Sequence, residues 1–162
     1  MSDRSDLLRS ILGQSILVAD GAMGTMLQAA DPGIEDFQGH EGCNEILNVT
    51  RPDIVRQVHE AYLAVGVDCV ETNTFGANLS NLGEYGIQDR IDELAAAAAR
   101  IAPGATETWS TPEHPRFVLG SLGPGTKLPS LGHATYAELR DAYSRATTGL
   151  LDGGVDAVQI ET

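Results

Sequence analysis

Apolar residues recur along this chain in two alternating rhythms, one helical and one extended. Leu7, Leu8, Ile11 and Leu12 share one helical face behind Ser5 or Asp6 as a cap, and Gly13 ends that element. The run Ile16-Leu17-Val18-Ala19 predicts a buried strand that delivers Asp20 into Gly21-Ala22-Met23-Gly24. Residues 21–48 read as a polar, glycine-rich loop. Thr50-Arg-Pro-Asp opens a helix, with Thr50 as cap, Pro52 in the first turn and Asp53 favourable to the dipole. Its predicted inner stripe is Ile54, Val55, Val58, Ala61, Tyr62 and Val65, and Gly66 stops it. A strand over 67–73 follows. An alanine-rich helix over 88–102 carries Ile91, Leu94, Ala95, Ala98 and Ile101 on one face. Pro103-Gly104 is expected to end it, and 105–115 to be a polar loop. A third strand covers 116–120, and Ser121 to Gly132 reads as a loop. Thr135-Tyr-Ala-Glu138 is a capping box for a helix bearing Tyr136, Leu139, Tyr143, Ala146 and Leu150. Gly153-Gly154 closes that helix, and 155–160 reads as a fourth strand.

Strands alternating with helices imply a parallel α/β sheet. The chain also echoes itself: Gly66-Val-Asp-Cys-Val-Glu-Thr resembles Gly154-Val-Asp-Ala-Val-Gln-Ile-Glu-Thr. Both stretches follow a helix, and both deliver Glu-Thr at a strand end. That repetition suits a (β/α) array. A complete eight-stranded barrel needs about 250 residues, whereas this sequence has 162. The expected fold is therefore the N-terminal half of a parallel (β/α)8 TIM-type barrel, about four βα units over 1–162. An open four-stranded sheet is the alternative.

Composition narrows the partners. A net charge of -13 repels phosphate backbones and disfavours nucleic acid. No apolar run approaches the roughly 20 residues that cross a bilayer, so no membrane association is expected. The polar start, Met1-Ser-Asp-Arg-Ser-Asp, is not a secretory signal. Cys43 and Cys69 form neither a disulfide framework nor a CxxC pair, and a reducing cytoplasm is the simplest setting.

Sites in parallel α/β proteins lie at the carboxyl ends of the strands. Three of those ends here deliver an acid: Asp20, Glu71 and Glu161. Glycines beside Asp20 let backbone approach a ligand, and their N–H groups could hold a carboxylate. Acids for an ammonium and amides for a carboxylate together suit an amino acid. Other readings stand beside this one. An Asp-Gly strand end is a common turn, and Glu71 and Glu161 could pair with internal cations. Gly120-Ser-Leu-Gly-Pro-Gly could cradle phosphate, although Lys127 comes too late for a P-loop and a plain turn fits better. Among the histidines, His59 beside Glu60 reads as solvated and His114 as a loop residue. None pairs with cysteine at metal-ligand spacing. Cys69 reads as a small core residue inside a strand.

Asp20-Gly-Ala-Met-Gly-Thr, Gly42-Cys-Asn-Glu-Ile-Leu-Asn, Glu71-Thr-Asn-Thr-Phe, Gly120-Ser-Leu-Gly-Pro and Ile160-Glu-Thr, in that order, resemble the homocysteine-binding domain of the cobalamin-dependent methionine synthase family. The likeness runs from about Ile16 to Thr162, and Gly123-Pro-Gly-Thr-Lys-Leu-Pro looks like an actinobacterial form. Homocysteine methyltransferases using betaine or S-methylmethionine share the Asp-Gly start and remain an alternative, as does a stand-alone amino-acid- or anion-binding domain. The resemblance implies a methyltransferase of methionine biosynthesis, moving a methyl group from methylcobalamin, recharged by methyltetrahydrofolate, to homocysteine. It implies that Asp20 and Glu161 take the substrate amine, that Gly21, Ala22, Met23 and Gly24 lie beside the substrate, and that Asn73 and Thr74 sit at the same mouth. The catalytic residues stay unassigned. The family binds zinc through cysteines in a Gly-Cys-Cys-Gly stretch and beyond, which this sequence lacks. No metal ligand, zinc or cobalamin is therefore expected to be held by this segment alone. It is expected to be inactive without the rest of the barrel and the folate and cobalamin domains, and to dimerise or to bind its missing half through uncovered sheet edges and helix faces.

Overall fold

A computed structural model describes residues 3–162; Met1 and Ser2 of the polar N-terminal stretch lie outside them. Helix α1 (Asp3–Leu12) begins ahead of the expected Ser5 or Asp6 cap. Helix α2 (Met23–Ala29), short 3-10 turns at Ile34–Phe37 and Asn44–Ile46, and helix α3 (Leu47–Thr50) occupy the stretch expected to be loop. These pieces are too short to carry a full amphipathic period, so pattern reading passes over them. The remaining elements are α4 (Pro52–Val65), β1 (Cys69–Glu71), α5 (Asn81–Glu84), a 3-10 turn at Gln88–Arg90, α6 (Ile91–Trp109), β2 (Phe117–Leu122), a 3-10 turn at Pro129–Leu131, α7 (Tyr136–Gly153) and β3 (Ala157–Ile160).

The strands form one parallel sheet in the order β1-β2-β3, pairing Glu71 with Leu119 and Ser121 with Gln159. Residues 16–20, expected to be a buried strand, instead lie along the edge of β1. They share a single parallel bridge, Ala19 with Cys69. Ile16 is 91% exposed and Val18 56% exposed. The segment is hydrogen-bonded on one side and has nothing packed on its outer face among the described residues.

The internal echo has a structural cause. Asp68 accepts the Val18 backbone N–H on Oδ2 at 2.8 Å, and Asp156 accepts the Val118 N–H in the same way at 2.8 Å. Their own amides return bonds to Val18 O and Val118 O. Each aspartate thus latches the preceding strand at its N-terminal end and sets the parallel register. Helix α1 sits at that same end. Its Leu8 is buried with Cys69 and Phe117, and the Arg4 guanidinium forks onto Asp156 at 2.8 and 3.0 Å. Cys69 is the core residue its strand position implied.

The opposite sheet face packs on α4, α6 and α7 through the main core, which includes Val58, Leu63, Val70, Leu94, Val118 and Leu150. Helix α4 starts at Pro52 and ends at Gly66, whose φ of +102° is the left-handed cap that glycine adopts without strain. Thr50 does not cap it; its hydroxyl donates to Ile46 O within α3. The buried face of α4 is rotated from the expected stripe. It carries Ile54, Val55, Val58, His59 and Leu63, while Val65 is 80% exposed. Helix α6 runs through Pro103 to Trp109 instead of stopping at residue 102. Proline removes one helix bond, and buried Ala102, Ala105 and Thr106 hold the helix against the core beyond it. The capping box of α7 is present, with Glu138 N–H donating to Thr135 Oγ1 at 3.2 Å and Thr135 N–H to Glu138 Oε2 at 2.7 Å. Tyr136, assigned to its inner face, is 78% exposed. Glycines set the α6–α7 spacing. A Cβ on Gly149 would sit 2.8 Å from Asp92 O, and one on Gly153 would overlap Ala99 Cβ. Among the described residues, no helix is long and apolar enough to cross a membrane.

Candidate functional site

The carboxyl ends of the strands open into a cleft of about 560 Å³. All seven residues singled out for substrate contact line it: Asp20, Gly21, Ala22, Met23, Gly24, Asn73 and Glu161. The edge segment delivers Asp20, the turn into α2 and that helix's first residues deliver Gly21 to Gly24, and the end of β3 delivers Glu161.

Asp20 accepts the Glu71 backbone N–H on Oδ1 at 3.0 Å. Its second oxygen, Oδ2, is buried and has no hydrogen-bond partner. Burial pushes the Asp20 carboxyl up to about 7, and the charges of Glu71 and Glu161 add to the effect. Burial also raises Glu71, and Glu161 raises it further through charge and hydrogen bonding. Gln159 moderates this by donating to Glu71 Oε1 at 2.6 Å. Ser121 Oγ hydrogen-bonds Glu161 Oε1. Among the described residues, no lysine, arginine or histidine pairs with Asp20, Glu71 or Glu161. The internal salt-bridge reading of Glu71 and Glu161 therefore finds no cation here.

Asn73 and Thr74 build the wall. The Asn73 amide donates to Asn44 O at 2.8 Å and Asn48 Oδ1 at 2.9 Å, and Thr74 Oγ1 donates to Ser121 O at 2.7 Å. Sequence reasoning gave no role to Glu45, a fourth acid in the cleft. Its Oε1 accepts the Gly76 N–H at 2.9 Å, and Cys43 Sγ lies 3.7 Å from Oε2. Burial raises the Glu45 carboxyl above its ordinary range. One signal was available: an acid set between Cys43-Asn44 and the apolar Ile46-Leu47. The stretch after β2 behaves as a turn rather than a phosphate cradle, with Thr126 N–H donating to Ser80 Oγ at 3.0 Å.

The thiols do not fit a zinc site. Cys43 and Cys69 are both buried, in two different apolar clusters. Burial drives them up to about 11 and about 12, away from the thiolate a metal takes. Among the described residues, no group of three His, Cys, Asp or Glu is placed to hold a metal ion. The histidines lie elsewhere. His59, expected to be solvated, is instead wholly buried, because the helix turns its side chain inward while neighbouring Glu60 pairs with Arg56 at the surface at 2.7 Å. His114 is a loop residue as expected and meets Asp68 Oδ1 at 2.7 Å.

Comparisons with known proteins identify relatives of this chain. The sequence profile of the family described as homocysteine S-methyltransferase matches residues 17–162. Methionine synthase from Mycobacterium tuberculosis is 56% identical over 158 residues, covering 98% of this chain and 13% of that protein. The Mycobacterium leprae methionine synthase is 55% identical over 158 residues, with the same coverage of 98% and 13%. This chain thus spans about 13% of the length of these relatives. Among solved structures, the metallated homocysteine methyltransferase MmuM from Escherichia coli superposes with a TM-score of 0.68 at 21% identity, over 95% of this chain and 56% of that one. That likeness is one of fold.

Proposed function

Because this chain belongs to the homocysteine S-methyltransferase family, we propose that residues 1–162 are the N-terminal part of a homocysteine-binding (β/α)8 barrel within a methionine synthase. The parallel register, the acids at the strand ends and the fold likeness at a TM-score of 0.68 support this reading. The proposed reaction of the longer protein is methyl transfer from methylcobalamin to the homocysteine sulfur, giving methionine. Cys43 and Cys69 suit a core rather than a metal and are not proposed as zinc ligands. Two unpaired buried cysteines also suit a reducing cytoplasm.

The task of these residues is recognition of the amino-acid end of the substrate. One observation carries the reading: Asp20 Oδ2 is buried, unpaired and next to further acids with no cation between them. An isolated buried acid cluster costs free energy, which an ammonium group would offset by donating its N–H groups to the carboxylate oxygens and supplying the missing positive charge. Asp20 and Glu161 are the proposed amine ligands. Gly21 to Gly24 line the same cleft, and their amides are proposed for the substrate carboxylate. The sulfur would then point away from the acids, towards the remainder of the barrel.

Titration calorimetry with L-homocysteine at pH 8 tests this. We expect saturable binding, weakened about tenfold or more by Asp20→Asn or Glu161→Gln. 4-Mercaptobutyrate, which lacks only the amine, should not bind. Equal affinity for both compounds, or unchanged affinity in both variants, would overturn the assignment.

A further inference from the structure

We propose that Glu45 is a positioning residue for this cleft: its carboxylate clamps the Phe75-Gly76 turn from the α2–α3 side and thereby sets the wall against which the amino acid lies. The inference rests on the homocysteine-binding reading for its ligand, and on the turn itself for its geometry.

Three observations carry it. Glu45 Oε1 accepts the Gly76 N–H at 2.9 Å, across 31 positions of sequence. The fit there is tight, because a Cβ on Gly76 would lie 2.5 Å from that oxygen and 2.9 Å from the carboxyl carbon. Only a residue without a side chain lets the carboxylate reach the backbone. On its far side the turn abuts Gly123, the residue after β2, where an added Cβ would meet the Phe75 ring at 2.9 Å. The turn is therefore held between Glu45 and the end of the sheet. Asn73 and Thr74, immediately before it, are fastened to both sides as well.

Glu45 differs from the amine-binding acids in what it touches. Asp20 keeps an oxygen free inside the cleft. Glu45 uses both of its oxygens on protein donors, Gly76 N–H and the Cys43 thiol. Its function needs an acceptor oxygen at the right place and does not need a charge. This separates positioning from ligand binding, since a neutral amide can replace a clamp but not an ammonium ligand.

The test reads the turn and the ligand separately. Hydrogen exchange at the Gly76 amide reports the clamp without ligand, and calorimetry with L-homocysteine reports the cleft. Glu45→Ala should accelerate Gly76 exchange at least tenfold and weaken homocysteine binding by a similar factor. Glu45→Gln should restore both to within about threefold of the parent. Gly76→Ala should weaken binding in the parent chain but add nothing in the Glu45→Ala background, a non-additive cycle that a general loss of packing would not produce. The clamp is overturned if Glu45→Gln is as impaired as Glu45→Ala, if the two substitutions add, or if Gly76 exchange is unchanged in Glu45→Ala. If the parent chain fails to bind homocysteine while the exchange pattern holds, the homocysteine reading falls and the clamp stands.

Discussion

Asp20 accepts one backbone N–H and leaves its other oxygen unpaired in a buried place, and a definite pH response follows. Its carboxyl lies near 7 instead of its ordinary 3.8. An ammonium ligand needs the ionised form, so homocysteine affinity should rise as pH increases from about 6 to about 8. Calorimetry across that range checks it; a flat profile would count against Asp20 as the ligand. Stability runs the opposite way. A raised folded-state value means the stabilising proton is fully bound below about 4 and lost as pH climbs through 7. Asp20→Asn removes that liability and should raise stability at pH 8 by about 1–3 kcal/mol, with little gain at pH 4. Thermal melts at the two pH values would show it. His59 has the complementary behaviour. Both ring nitrogens are buried without partners, and burial lowers it to about 4 from 6.5. Its contribution is complete above 6.5 and lost as pH falls through 4, of order 3 kcal/mol. His59→Phe should move the acid-unfolding midpoint downward; superimposable acid titrations would refute this. Asp20 was legible in the sequence because an apolar run led into it and glycines followed. His59 was not, because the rotation of α4 about its axis depends on which neighbours cover it. Glu45 was hidden for a similar reason: its partner, Gly76, is distant in sequence and carries no side chain to signal the contact.

At the scale of elements, the α6–α7 pair shows where alanine and glycine content becomes geometry. Gly149 and Gly153 let α7 approach Ala95, Ala96 and Ala99 with no room for a further methyl group. Gly153→Ala should therefore destabilise the fold by about 1–3 kcal/mol through overpacking, despite alanine's better helix propensity. Chemical denaturation would measure this, and a stabilised variant would show the interface to be looser than described. Helix existence was readable here from the Thr135–Glu138 capping box and from terminal glycines, and α4 and α7 end where Gly66 and Gly154 indicated. Helix extent was less so. Pro103 reads as a stop in any single-helix argument, yet α6 passes it, because tertiary burial of Ala105 and Thr106 outweighs one missing hydrogen bond. The short helices between 21 and 50 lack a readable period and owe their form to what they pack against.

The whole molecule presents two sheet edges with different exposures. The 16–20 segment flanks β1 and leaves Ile16 and Val18 uncovered, while at the end of β3 Ile160 is 84% exposed. Such edges invite pairing, whereas a net charge of -13 opposes it between identical copies. Salt screens the repulsion and leaves the apolar attraction. We expect self-association that increases with ionic strength and is reduced by Val18→Lys. Light scattering at low and high salt would test this, and a constant monomer mass would contradict it. The parallel order of the sheet was legible from alternation and from the internal echo. The exposure of the first extended segment was not, since a hydrophobic run reads the same whether or not a partner layer is present. The echo itself has a lasting implication. Asp68 and Asp156 grip backbone at the strand starts, and from Asp68 the acid rim is three residues away along β1, about 10 Å. Alignment of the rim is decided remotely, much as a hinge decides where a door meets its frame. A lesion at either aspartate would surface as a misplaced carboxylate and poor ligand capture, with every residue of the cleft chemically intact.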